Sequence, residues 1–599
     1  MPDILFIFAP RNKKHQDMRK VRSARFIIIA AILITAVTSA AFLSTQETRD
    51  FRIAKNLDIF FTLFRELNTF YVDDLNPDKL VKTGIDNMLK SLDPYTVYYP
   101  ESEGDEVAFM TTGKYGGIGS LVRGSGDYVV VSLVYKGFPA DVAGIRPGDI
   151  LKKADGVSLK GFPTEKVSEK LKGNPGTVIN LTIERNGVEM EIPVKREKIA
   201  VPPVPYYGML DENTGYIRFT NFTQDCSEDV KNALVALKAK NPRQIILDLR
   251  GNPGGLLTEA VDIVNLFVGP GNEIVKTKGK VEQFDETFKT THAAVDETIP
   301  LAVIINRGSA SASEIVAGAI QDLDRGIIVG QRSYGKGLVQ ITRPLSYNTQ
   351  LKITTAKYYI PSGRCIQALD FSHPNEDGSV GIIPDSLISE FRTKNGRIVK
   401  DGGGIKPDIE VVPVQLSQVA AELYLRNYIF DFASRYYWTH PAVKSLSQFS
   451  FTDQDYNEFR NFLESRKFSY RTNTEESLSE LIANAKKEKY YDLHKDLFTS
   501  LEKELDHTLD QDLVTFRAEI TDLLEEEIIS RYFYEEGSIE WSLKTDEQVM
   551  KAIEILNNRN NYNSILQGKA GSVLITNGNT SPSLPATGLA RFAGSDSFV

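Results

Sequence analysis

Apolar residues recur at helical spacing early in the chain. Ile59, Phe60, Leu63, Phe64 and Leu67 share one face, predicting a helical segment over 44–111, with a second helix from Pro77 to Leu92 inside it. Leu92-Asp93-Pro94-Tyr95 then breaks the period. From 112 to 198 the pattern shortens to strands separated by glycine turns. Tyr128 to Tyr135 is valine-rich and reads as a strand. Asn186-Gly187 lies between Leu181-Thr-Ile-Glu and Val188-Glu-Met-Glu-Ile, the signal of a two-residue hairpin. With a helix expected over Thr164 to Leu171, this stretch has the size of a small domain of its own.

Between 199 and 413 continuous apolar runs alternate with helical ones. Ile245 to Leu249, Leu301 to Ile305 and Ile327 to Gly330 read as buried parallel strands, and Leu257 to Phe267 and Ser313 to Leu323 as crossover helices. That alternation predicts an α/β core. Asp370 to Gly404 is polar and glycine-rich, and reads as a surface excursion. Over 414–569 the strands stop and the period is helical throughout, with Leu501 to Ile529 the longest amphipathic stretch. Residues 570–599 have the composition of a disordered tail, and no internal repeat is present.

The N-terminus adds an address. A basic segment, 1–25, precedes an uncharged apolar run over 26–43. The positive-inside rule puts the bases in the cytoplasm and everything after Leu43 across the membrane. The expectation is a single-pass anchor in the cell inner membrane with the catalytic part outside the cytoplasm; the alternative is a signal peptide cleaved near Thr38-Ser39-Ala40-Ala41, leaving a soluble periplasmic protein. The formal net charge of −9 argues against nucleic acid as a partner, which needs a basic face. Cys226 and Cys365 are the two cysteines; their spacing establishes neither a disulfide nor a metal site.

Candidate chemistry concentrates between Asn306 and Gln340. A buried strand ends in Gly308-Ser-Ala-Ser311-Ala312-Ser-Glu and opens a helix, which places a serine hydroxyl beside the free N–H groups of a helix start. None of the 6 histidines falls in a glycine-rich strand-end context in this core, and neither Gly-x-Ser-x-Gly nor His-Glu-x-x-His occurs. Lys336, in Tyr334-Gly-Lys-Gly-Leu-Val-Gln340, does fall in such a context. A lysine can serve as base only when neutral, and burial can bring its pKa down by several units from about 10.4. On chemistry alone, three serines that merely cap a helix and a solvated lysine are an equal alternative.

Taken together, these motifs resemble the carboxyl-terminal processing peptidases, or tail-specific proteases. Gly308 to Ile315, Asp322 and Tyr334 to Gln340 match their signature position for position, with Leu92-Asp-Pro, Asp248-Leu-Arg-Gly-Asn-Pro-Gly-Gly255 and Tyr359-Ile-Pro-Ser-Gly-Arg364 in support. The resemblance implies a multidomain α/β protein whose serine-protease core is ClpP/crotonase-like. It implies Ser311 as nucleophile, Lys336 as base, Gln340 orienting that lysine, and Gly255 and Ala312 as oxyanion-hole donors. Asp322 is read as structural, because a carboxylate beside the base would hold it protonated. The 112–198 segment resembles a PDZ domain, with Tyr115, Gly116, Gly117, Ile118 and Gly119 receiving a substrate's C-terminal carboxylate. Lys172 is read as a solvated lysine, the alternative being a contact with the protease core.

The expected partners are therefore proteins or peptides with free C-terminal tails, and the membrane through the N-terminal segment. No metal and no other cofactor is expected. The 414–569 region carries no motif; self-association and an adaptor both remain open for it. Two rival readings are a catalytically silent PDZ adaptor, and a crotonase-like acyl chemistry on thioesters.

Overall fold

Buried parallel strands need apolar cover on both faces, and the middle of this chain is organised by that need. The computed structural model describes residues 49–371, 380–412, 415–440, 442–505 and 507–569, with the backbone of 573–575 and 597–598. Its central sheet runs in the order Tyr206–Met209, Thr214–Arg218, Gln244–Asp248, Leu301–Ile305, Ile327–Gly330, Ile409–Val411, Val573–Ile575. The first pair is antiparallel and every later pair is parallel. Alternation along the strands sends Ile245, Leu247, Val303 and Ile305 to one core, and Ile246, Ala302, Ile304 and Val329 to the other.

The first face is covered by Cys226–Lys238, Leu257–Asn265 and Ala312–Asp322. The second is covered by helices Glu547–Asn557 and Arg559–Leu566, through Val549, Ala552, Ile555, Leu556 and Tyr562. Leu301 N donates to Tyr562 Oη at 3.2 Å, tying the last helix to the central strand. The end of the helical region thus closes the back of the α/β sheet. A second sheet joins Val97–Tyr99, Gln350–Tyr359, Glu273–Gly279 and Thr287–Lys289, with Leu338–Pro344 paired to Gln350–Tyr359.

In the 112–198 segment, strands Ser120–Ser125, Tyr128–Val134, Ile150–Ala154, Val178–Arg185 and Val188–Lys195 form one antiparallel sheet. Asn186 and Gly187 both have positive φ, 51° and 79°, as a hairpin turn with the strands' own twist requires. Helix Thr164–Leu171 buries Val167 and Leu171 against this sheet.

The helices from Gln418 onward have a separate aromatic core that includes Phe432, Phe459 and Phe462. Two guanidinium groups lie against the Phe430 ring, Arg123 at 3.8 Å and Arg531 at 4.5 Å from its centroid. Arg123 belongs to strand Ser120–Ser125, so the stack fastens the 112–198 segment to the helices. Tyr534 Oη adds a hydrogen bond to Asp141 Oδ1 at 2.9 Å. Phe430→Ala is expected to cost about 3 kcal/mol. Hydrogen exchange should rise in Ser120–Ser125 and Tyr428–Thr439 and stay unchanged in the central sheet; uniform protection in the variant would count against the stack as a fastener.

The structure adds detail to several expectations. The amphipathic stretch Leu501 to Ile529 spans parts of three helices, Lys495–Leu505, Leu509–Thr515 and Arg517–Ser542, and Thr508 caps the second by accepting from Gln511 N. Within the tail, Val573–Ile575 extends the central sheet and Ser597–Phe598 pairs with Ser120–Ser125, while the rest of 570–599 lies outside the described residues. The Asp370–Gly404 excursion is held down by Arg397, which pairs with Asp324 and Asp408 at 2.6 Å each. Cys226 and Cys365 are both free thiols.

The chain divides into two compact units between Met88 and Leu89. In the first, a helix over 49–70 and Pro77–Lys90 meet where the Phe60 ring approaches Gly84, while Phe51, Leu57 and Phe61 are exposed. The apolar run 26–43 lies outside the described residues; among those described, no helix is long and apolar enough to cross a membrane.

Candidate active site

Three serines follow strand Leu301–Ile305, and the structure sorts them. Ser309 and Ser313 are fully buried; their hydroxyls donate to Leu249 O at 2.8 Å and Asn252 O at 2.9 Å, fixing the glycine loop that follows Asp248. Ser311 is only half-buried and stands at the start of helix Ala312–Asp322 with φ 55° and ψ −112°. That backbone conformation is rare for a residue with a Cβ, and persists only where the surroundings impose it.

What imposes it is a pair of buried side chains. The Glu314 carboxylate accepts from Ser311 N at 2.8 Å and Lys336 N at 2.9 Å, and also from Gly335 N at 2.7 Å and Ser333 Oγ at 2.5 Å. Tyr358 Oη donates to Lys336 O at 2.7 Å and lies 3.2 Å from Ser311 O. One side chain therefore binds the N–H groups of residues 311 and 336, and the other reaches both of their carbonyls. Burial pushes Glu314 up to about 7 against the pull of those hydrogen bonds. Burial likewise raises Tyr358 well above its ordinary value, so it stays a neutral donor.

Lys336 is brought down to about 8, first by burial and then by the Lys352 charge, with Glu314 and Asp93 opposing. Its Nζ sits 4.4 Å from the Tyr95 ring centroid. Tyr95 is presented by Asp93, whose Oδ1 accepts from Tyr95 N and Thr96 N at 2.8 Å each, and this gives Leu92-Asp93-Pro94 its purpose. No hydrogen bond joins Lys336 Nζ to Ser311 Oγ in this arrangement. Gln340 Nε2 donates to Thr354 Oγ1 at 3.2 Å and makes no hydrogen bond to Lys336.

Gly254 and Gly255 reach the same place from the loop after Asp248. A Cβ on Gly254 would lie 2.7 Å from Ala310 O and 2.9 Å from Ala312 N, so only glycine lets the loop come this close. Gly255, at φ 149°, bridges to Phe222 through Leu256 N and Phe222 O at 2.8 Å. Among the described residues, neither Gly255 N nor Ala312 N donates to another group.

The carboxylates nearby are structural. Asp322 accepts from Arg364 Nη2 at 2.8 Å and Ser362 N at 3.0 Å, a buried ion pair that uses the arginine of Tyr359–Arg364. Asp248 is desolvated by burial, yet Arg218 and Arg250 hold it well below the usual carboxylate range. Arg250 continues to Asp546 at 2.7 Å, joining this loop to the C-terminal helices.

Tyr115–Gly119 lies in the 112–198 segment. Strand Lys114–Gly117 pairs with Glu197–Ala200, and Gly119, with φ 76°, makes the turn into Ser120–Ser125. A Cβ there would meet Phe138 at 2.5 Å. Lys172 is not in open solvent: its Nζ is 5.7 Å from the Tyr115 ring centroid, and burial lowers its pKa. Of the groups that shape the two sites, Glu314, Tyr358 and Tyr95 had no assigned role in the sequence, although Glu314 and Tyr95 fall inside quoted motifs.

Three family models and a set of curated relatives match this chain. Residues 213–388 match the model of peptidase family S41, residues 130–185 that of the PDZ domain, and residues 419–556 that of "Probable PDZ-protease, C-terminal helical domain". A probable CtpA-like serine protease of Staphylococcus aureus is 35% identical over 418 residues, 68% of this chain and 81% of the relative. The carboxy-terminal-processing protease of Bartonella bacilliformis is 35% identical over 370 residues, 61% of this chain and 81% of its own. The solved photosystem II D1 C-terminal processing protease is 25% identical, covering 60% of this chain and 93% of that one with a TM-score of 0.32. With a match to the S41 family model and curated relatives 35% identical over 81% of their own length, the chain belongs to peptidase family S41 and is a serine peptidase.

Proposed function

We propose that this peptidase cleaves proteins presented by their C-terminal tails, using Ser311 as nucleophile and Lys336 as general base. The observation that carries the dyad is the double tie of residues 311 and 336 through Glu314 and Tyr358, around a lysine already lowered to about 8. Neutral Lys336 takes the hydroxyl proton as Ser311 Oγ bonds to the peptide carbonyl carbon. The N–H groups of Gly255 and Ala312 hold the resulting oxyanion; a donor so placed contributes about 3 kcal/mol in the transition state. Lys336 then gives the proton to the leaving amine. Water repeats the sequence to free the acyl group.

Because the base must be neutral, kcat/KM should rise about tenfold per pH unit below the lysine's pKa and level off above about 8. A profile flat between pH 6 and 9 would remove Lys336 from the role. Lys336 Nζ on the Tyr95 ring and Gln340 on Thr354 fit a resting arrangement, and substrate binding would bring the lysine to the serine.

Substrate selection is assigned to the PDZ segment. A tail adds to Ser120–Ser125 while its carboxylate meets the Tyr115–Gly119 turn. Blocking the carboxylate as an amide should raise KM about tenfold for a tailed substrate, and removing residues 112–198 should abolish its turnover. Equal rates on free and amidated tails would refute carboxylate capture. The basic segment and apolar run before residue 44 favour action outside the cytoplasm from an inner-membrane anchor, or from the periplasm after cleavage.

A further inference from the structure

We infer that the resident ligand of the PDZ groove is a segment of this same chain, residues 597–598, so that incoming tails must displace it. The inference rests on the reading of the 112–198 segment as a peptide-binding domain, and names its partner. Ser597–Phe598 pairs antiparallel with Ser120–Ser125, Ser597 opposite Val122 and Phe598 opposite Leu121. On its other side Ser120–Ser125 pairs with Tyr128–Val134, so the added strand takes the open edge of the sheet. Helix Thr164–Leu171 borders the same edge and lies against both Ser120–Ser125 and the added strand. Strand, helix and inserted segment together make strand addition in a groove. The direction fits as well: rising residue number in the inserted segment runs toward Gly119 and the turn assigned to carboxylate capture.

An unpaired strand edge is a template for any extended chain, and here a tethered one reaches it first. Val573–Ile575 is seated beside Ile409–Val411 on the central sheet. From there the chain has about 20 residues to reach the groove, a span of up to about 70 Å. A tether of that length gives an effective concentration of about 1 mM. A segment with an intrinsic Kd of about 0.1 mM would then weaken every outside peptide about tenfold, by occupying the groove most of the time. A weak ligand is enough, and only a better or more abundant tail displaces it.

The test measures binding of a labelled synthetic peptide of residues 590–599 by fluorescence anisotropy, in Ser311→Ala chains so that no cleavage intervenes. The full chain is compared with one truncated after Leu589 and with a full-length Ser597→Pro/Phe598→Pro chain, which keeps the tail but removes its ladder N–H groups. Both altered chains should bind about tenfold more tightly than the full chain, at every protein concentration tried. Equal, measurable affinity in all three overturns the inference and leaves the groove reading standing. Absence of binding in all three overturns the groove reading and the inference with it. A difference that grows with protein concentration assigns the strand to a second copy and overturns the intramolecular form.

Discussion

Ser311→Ala is expected to abolish hydrolysis of an unfolded protein with a free C-terminus, and Lys336→Arg to come close to doing so, in chains that should melt like the wild type. Loss of an activated serine nucleophile costs about 10⁴-fold or more in kcat, leaving only what the oxyanion donors and substrate binding supply. Arginine keeps the positive charge and much of the shape of Lys336, but its pKa above about 12 forbids it from accepting the proton. The expected loss is about 10²- to 10⁴-fold, the usual share of a general base. Equal cleavage by all three chains would mean that the activity resides elsewhere. An inert wild type would turn attention to the adaptor reading.

Glu314→Gln should be nearly as damaging, for a different reason. The carboxylate accepts from Ser311 N, Ser333 Oγ, Gly335 N and Lys336 N, and it is fully buried. An amide of the same shape can face those N–H groups with only one oxygen, so its NH₂ must oppose at least one donor. Each buried donor left unpaired costs about 1–3 kcal/mol. The expected result is a loss of about 3 kcal/mol in stability and at least 100-fold in kcat, with KM for a tailed peptide little changed, since the PDZ groove is untouched. Tyr358→Phe, which removes only the link to the two carbonyls, should lose about 1 kcal/mol and less activity. Wild-type kcat in Glu314→Gln would show that the dyad does not depend on this tie.

The hairpin at Asn186-Gly187 and the helix at Thr164–Leu171 were legible because both are local: a turn's φ angles and a helix's period are written in neighbouring residues. The motifs around Ser311 and Lys336 marked out the two segments that Glu314 ties together. Glu314 was not, since its work is done on residues 333 to 336, across a strand and a turn. Tyr358 and Tyr95 were missed likewise; their partners lie in other elements. The destination of the last helices was hidden for the same reason. Val549, Ala552 and Leu556 announce an apolar face, but period alone does not name the sheet that the face meets. The tail strands were lost to composition, because Ser597–Phe598 gains its order from an edge supplied elsewhere.

The Phe430 stack makes substrate grip and helical docking two readings of one equilibrium. Arg123, 3.8 Å from the centroid of that ring, belongs to the strand proposed to receive a peptide; Arg531, 4.5 Å from it, belongs to helix Arg517–Ser542. Whatever factor peptide binding contributes to holding the helices, the helices must return to peptide affinity, by thermodynamic reciprocity. A substitution buried among the aromatic helices, far from any reacting atom, would then surface in the laboratory as a defect in recognising substrate.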